Sequence, residues 1–171
     1  MTKKISGGFT LFEAVIYIAI FAFLFVLVIN VLITMSGSLA ELERFRQVTT
    51  GGVLGLERIS RETRDAISVD TEASTLGTSL GVLVLNTEDE AGEAGTISFY
   101  VQDGALYVER SGASGEALTG EDTEVTSLVF RHIVTENGEA VKIELEVEAT
   151  RGARSISMPF YNTIVLKGSY E

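Results

Sequence analysis

The sequence predicts an α+β fold in which a long N-terminal helix packs on an antiparallel β-sheet domain. The first observation behind this prediction is an uncharged apolar run, residues 14–33, whose only polar side chains are Tyr17 and Asn30. The second is a C-terminal part in which apolar and polar residues alternate between turn sequences, as they do in antiparallel strands. The first half of the helix is expected to be transmembrane and the second half amphipathic.

The composition excludes several classes of function. The 171 residues carry a formal net charge of -11, whereas nucleic-acid binding needs clustered lysine and arginine. The chain has no cysteine, which excludes disulfides, cysteine-based zinc sites and thiol nucleophiles. It has one histidine, so a histidine-rich metal site is excluded as well. We expect no cofactor, no metal and no direct binding of nucleic acid.

The apolar run is long enough to cross a membrane, since a bilayer core of ~30 Å needs about 20 apolar residues in a helix. Lys3 and Lys4 precede the run, and Glu41 is the first charge after it. The positive-inside rule therefore predicts a cytoplasmic N-terminus and a C-terminal domain outside the cytoplasm. A secretory signal has a shorter apolar core with small residues after it. Here Gly7 and Gly8 come before the run.

Glu13 stands at the start of this run, where a carboxylate is costly and therefore indicates a function. One interpretation is structural, with the carboxylate at the level of the lipid headgroups and stabilised by the helix dipole. The other assumes a cut after Gly8, which gives Phe9 a free amine. That amine could pair with Glu13 of a neighbouring helix and cancel two charges that neither group can bury alone.

Six residues in this stretch resemble the processing motif of type IV pilins and type II secretion pseudopilins. They are Lys4, Gly8, Phe9, Thr10, Leu11 and Glu13. The resemblance implies that a prepilin peptidase cleaves after Gly8, removing residues 1–8 with the leader charges Lys3 and Lys4. It implies methylation of Phe9 and a role for Glu13 in packing each subunit against its neighbour. Many major pilins have a proline inside the apolar helix, and Asn30 occupies about that place here.

The predicted domains are a leader (1–8), a transmembrane and assembly helix (9–35), an amphipathic helix (36–69) and an extracytoplasmic β-rich domain (70–171). The predicted apolar stripe of the second helix comprises Leu39, Leu42, Phe45, Val48, Leu56, Ile59 and Ile67.

Three glycines, Gly51, Gly52 and Gly55, interrupt this helix, and each costs roughly 1 kcal/mol relative to alanine. We expect a kink or flexible point there, the alternative being two separate helices. The cluster Arg58, Arg61 and Arg64 is interpreted as a solvated face, in preference to an anion site.

The β domain is expected to contain six or seven strands. The predicted strands are 82–85, 96–101, 105–109, 125–134, 140–149 and a last strand or pair over 155–166. Asp103-Gly104 and residues 136–139 are hairpin turns, and Pro159 places its segment at a sheet edge or bulge. The acidic residues of 87–95 offer oxygen ligands of the type calcium prefers. They do not match an EF-hand, and a solvated loop is favoured.

Residues 56–66 are similar to the helix end of J-type minor pseudopilins and of the related large minor pilins. Further similarities lie in the β region, at Asp103-Gly104, Leu106, Arg110, Leu118-Thr119 and Leu128-Val129-Phe130. Such minor subunits sit at filament tips and prime assembly. His132 is alone in a predicted strand, and the sequence contains no nucleophile elbow, phosphate loop or dinucleotide fingerprint. We therefore do not expect an enzyme.

The expected function is that of a pilin-like structural subunit, processed by a prepilin peptidase and stored in the cytoplasmic membrane. Its partners would be the lipid bilayer, an inner-membrane assembly platform and other pilin or pseudopilin subunits. The product would be a type IV pilus or a type II secretion pseudopilus, in the periplasm or at the cell surface. The alternative is a permanently membrane-anchored, extracytoplasmic binding module.

Overall fold

The computed structural model describes residues 10–88, 92–136, 138–151 and 154–167. One continuous helix, α1, spans Leu11–Asp65. The strands that follow in the described residues are β1 (Ser68–Val69), β2 (Leu83–Glu88), β3 (Ala94–Gln102), β4 (Ala105–Arg110), β5 (Glu116–Ala117), β6 (Glu124–Thr135), β7 (Gly138–Arg151) and β8 (Arg154–Val165). The chain forms two compact units, Met1–Leu42 and Glu43–Glu171. The α+β class is confirmed.

The strands form two antiparallel sheets, one ordered β1-β2-β3-β4-β5 and the other β6-β7-β8. Asp103 and Gly104 join β3 to β4 with φ angles of 51° and 76°, and Gln102 pairs with Ala105. Positive φ at both central residues is what a primed two-residue turn requires. The predicted Asp-Gly hairpin is therefore confirmed.

Strand β7 alternates as the sequence predicts. Val141, Ile143 and Leu145 are buried, as is Val147. The last segment is one strand, β8, rather than a pair, and it lies at the edge of its sheet. Pro159 lies inside β8, where an edge position tolerates the missing backbone donor.

The C-terminal end of α1 differs from the predicted helix of residues 36–69. The helix ends at Asp65, and Ile67 N donates a hydrogen bond to Asn86 O at 2.9 Å. This bond starts the pairing of β1 with β2, so the residues after Asp65 join the sheet. Strands β1 and β5 were not predicted. Each has two residues, which is too short for an alternating pattern to show.

The core of the second unit lies between α1 and both sheets. Helix α1 contributes Val48 and Ile59, with Leu56 partly buried against them, and Ala66 directly after the helix joins the same core. The predicted apolar stripe is wrong at four of its seven positions, because Leu39, Leu42, Phe45 and Ile67 are exposed. The buried face of the helix is instead completed by small residues, among them the glycines.

The glycines let the sheet approach the helix backbone. A Cβ atom at Gly52 would overlap the ring of Phe160, and one at Gly55 would lie 2.9 Å from Leu106 Cδ2. The helix stays continuous through these positions, so the alternative of two separate helices is wrong. The cost of glycine in a helix is offset here by close packing of Phe160 and Leu106.

The outward side of β7 carries a row of glutamates. Glu144 Oε1 lies 2.8 Å from Lys142 Nζ and 3.3 Å from Arg131 Nε. Lys142 first, and then Arg131, lowers the pKa of Glu144 below its ordinary value of 4.5. These ion pairs therefore stabilise the fold above about pH 4.5, and their contribution is lost as the pH falls through the lowered pKa. Because Glu144 is only half-buried and both cations that pair with it reach solvent, the contribution is small.

Replacing Gly52 by alanine should destabilise the second unit by about 1–3 kcal/mol, because the new methyl group overpacks against Phe160. Gly51→Ala is the matched control. Its Cβ would meet Thr123 Oγ1 at an ordinary 3.5 Å, so this variant should gain up to about 1 kcal/mol from helix propensity. Denaturant unfolding of the full chain in detergent measures both. Equal stabilisation by the two variants would contradict the close approach.

Candidate functional site

The residues that the sequence assigns to processing and assembly lie at the start of α1. Gly8 and Phe9, with the leader charges Lys3 and Lys4, are outside the described residues. Glu13 is described, and it lies half-buried in the first turn of the helix. The geometry around Glu13 is therefore the part of this site that the structure shows.

Thr10 caps the helix. Its Oγ1 accepts a hydrogen bond from Glu13 N at 3.3 Å, and its carbonyl oxygen accepts one from Ala14 N at 3.1 Å. A threonine side chain at this position satisfies a backbone donor that the first turn leaves without a helical partner. Threonine followed three residues later by glutamate is the spacing of a capping box. The sequence analysis missed this signal, although both residues were in the motif.

The carboxylate of Glu13 faces along the helix towards Tyr17. The Tyr17 hydroxyl donates a hydrogen bond to Glu13 Oε1 at 3.4 Å, one turn deeper into the apolar run. The positive end of the helix dipole also favours a negative charge at this turn. This arrangement holds a negative charge at the mouth of an apolar helix, where it can accept a hydrogen bond from an external cation.

The run behind Glu13 is a candidate membrane span. An 18-residue window of α1 has a mean hydropathy of 3.0, and none of that window is buried within the protein. Leu11 and Phe21 are typical, with exposed fractions of 85% and 70%. This helix is compatible with a single-pass membrane protein, because a bilayer or other apolar helices would cover the surface that the described chain leaves open.

The polar side chains of this half of α1 bond to their own helix. Asn30 Nδ2 donates to Val26 O at 2.9 Å, and Thr34 Oγ1 donates to Asn30 O at 2.9 Å. Ser36 makes the same kind of bond to a carbonyl four residues earlier. An unsatisfied polar group in lipid costs several kcal/mol. These internal bonds therefore lower the cost of placing Asn30 in or near a bilayer.

The predicted arginine cluster is divided in the structure. Arg58 Nε lies 3.2 Å from Glu62 Oε1, and Arg110 Nη2 donates to the same oxygen at 2.8 Å. Glu62 is 8% exposed. Arg61 and Arg64 are exposed and make no ion pair or hydrogen bond with the described residues. Sequence analysis missed the Glu62–Arg110 pair because 48 residues separate the partners.

A cleft of about 630 Å³ opens beside this ion-pair cluster. Its charged lining comprises Arg58, Arg61, Arg110, Glu62, Asp65, Glu88 and Glu93. Because the lining contains three arginines and four acids, the cleft concentrates charge of neither sign. That mixture accords with the interpretation of the arginines as a solvated face.

The acidic loop that the sequence offers for calcium lies partly outside the described residues, which omit 89–91. Among the residues that are described, no group of three or more acidic or histidine side chains could hold a metal ion. His132 Nε2 lies 3.2 Å from Glu139 Oε2 across the β6–β7 hairpin. This contact joins the two strands close to their turn.

Comparisons of the chain with protein-family models, with curated proteins and with solved structures found no match.

Replacing Glu62 by glutamine should lower the free energy of unfolding by about 1–2 kcal/mol, because both arginines lose their charged partner. Glu57→Gln is the control, since Glu57 is exposed on the same helix. Urea unfolding of the two variants makes the comparison. If both variants are as stable as the wild type, the ion-pair cluster does not contribute to the fold.

Proposed function

We propose that this chain is a pilin-like structural subunit that assembles through its N-terminal helix. The observation that carries the proposal is the Gly8-Phe9-Thr10-Leu11-x-Glu13 motif directly before an apolar helix that the described chain leaves uncovered. The motif supplies a cleavage site and a carboxylate. The helix supplies a surface that needs other helices or lipid.

The proposed mechanism begins in the cytoplasmic membrane, where a prepilin peptidase cuts after Gly8 and methylates Phe9. An assembly platform then moves the apolar helix from lipid into a bundle of like helices. Glu13 contacts the amine of an adjacent Phe9, which neutralises both charges as they leave water. The capped first turn supports this step, because Thr10 fixes the start of the helix and so fixes where Glu13 lies.

The second unit is proposed to stay outside the membrane and to set the contacts between subunits. The similarity of residues 56–66 to J-type minor pseudopilins favours a minor, priming subunit of a type IV pilus or type II secretion pseudopilus. No catalytic step and no cofactor is part of the proposal.

A permanently anchored binding module is the second candidate. The observation that favours it is the cleft of about 630 Å³ between α1 and the β2–β3 region. This candidate requires the whole N-terminal segment to remain on the chain, whereas the filament subunit requires its removal.

Gly8→Leu should leave an uncut precursor, because the resemblance places the peptidase cut after this glycine. Gly37→Leu is the control, since a Cβ at Gly37 meets nothing within 4 Å, and this variant should be cut normally. Electrophoresis of membrane fractions measures the size of each chain. Mature-size protein from the Gly8 variant would contradict the proposed processing.

Glu13→Ala should be cut normally but enter filaments about tenfold less than the wild type. Loss of a charge pair that leaves water costs at least the ~1.4 kcal/mol that a tenfold change represents. Tyr17→Phe removes the hydrogen bond within the helix but keeps the carboxylate, so it should assemble nearly normally. Quantifying the subunit in sheared filaments tests both variants, and normal incorporation of Glu13→Ala would refute the pairing.

A further inference from the structure

We draw no further inference here: the strongest candidate, the cleft of about 630 Å³ between α1 and the β2–β3 region, has a lining of three arginines and four acids that selects a ligand of neither charge, and nothing in the described residues shows what would occupy it.

Discussion

The apolar half of α1, which the described chain leaves uncovered, is the strongest constraint on the environment in which this protein is stable. Burying one large apolar side chain is worth about 1.5–3 kcal/mol, and this stretch exposes many of them. Water is therefore not a stable environment for it. A helix of this kind needs lipid or other apolar helices to cover it. In the proposed function the helix moves from lipid to other helices, and Glu13, which lies in a capped first turn, would neutralise the charge at its end.

In the second unit the same helix packs against the two sheets. The sheets approach the helix backbone closely at Gly52 and Gly55. The buried face of α1 therefore contains small residues at these positions instead of large apolar ones. The opposite face is left to carry Val53, Leu54 and arginines in solvent. Close packing on one side thus determines which residues are exposed on the other.

Local patterns were enough to predict much of the fold. Strand β7 was predicted because its alternation is strict, and the β3–β4 turn because Asp103-Gly104 adopts the positive φ angles that such turns need. Val48 and Ile59 of the predicted apolar stripe are buried, but the close packing at the glycines was not predicted. A helical pattern cannot show that Phe160 from a distant strand would fill the space above Gly52. The Glu62–Arg110 ion pair was not predicted for the same reason, because only folding brings these two residues together. For the candidate site, the spacing of Thr10 and Glu13 is a sequence signal from which the helix cap could have been predicted. The hydrogen bond from the Tyr17 hydroxyl to Glu13 could be identified only in the structure.

In the proposed function the chain becomes an assembly subunit only after its N-terminus is cut, and the mass of its N-terminal peptide tests this most directly. Mass spectrometry of the protein purified from membranes would identify that peptide. We expect a chain that begins at Phe9 and carries one additional methyl group on its amine. A mature protein that still begins at Met1 would contradict it and would favour the permanently anchored binding module.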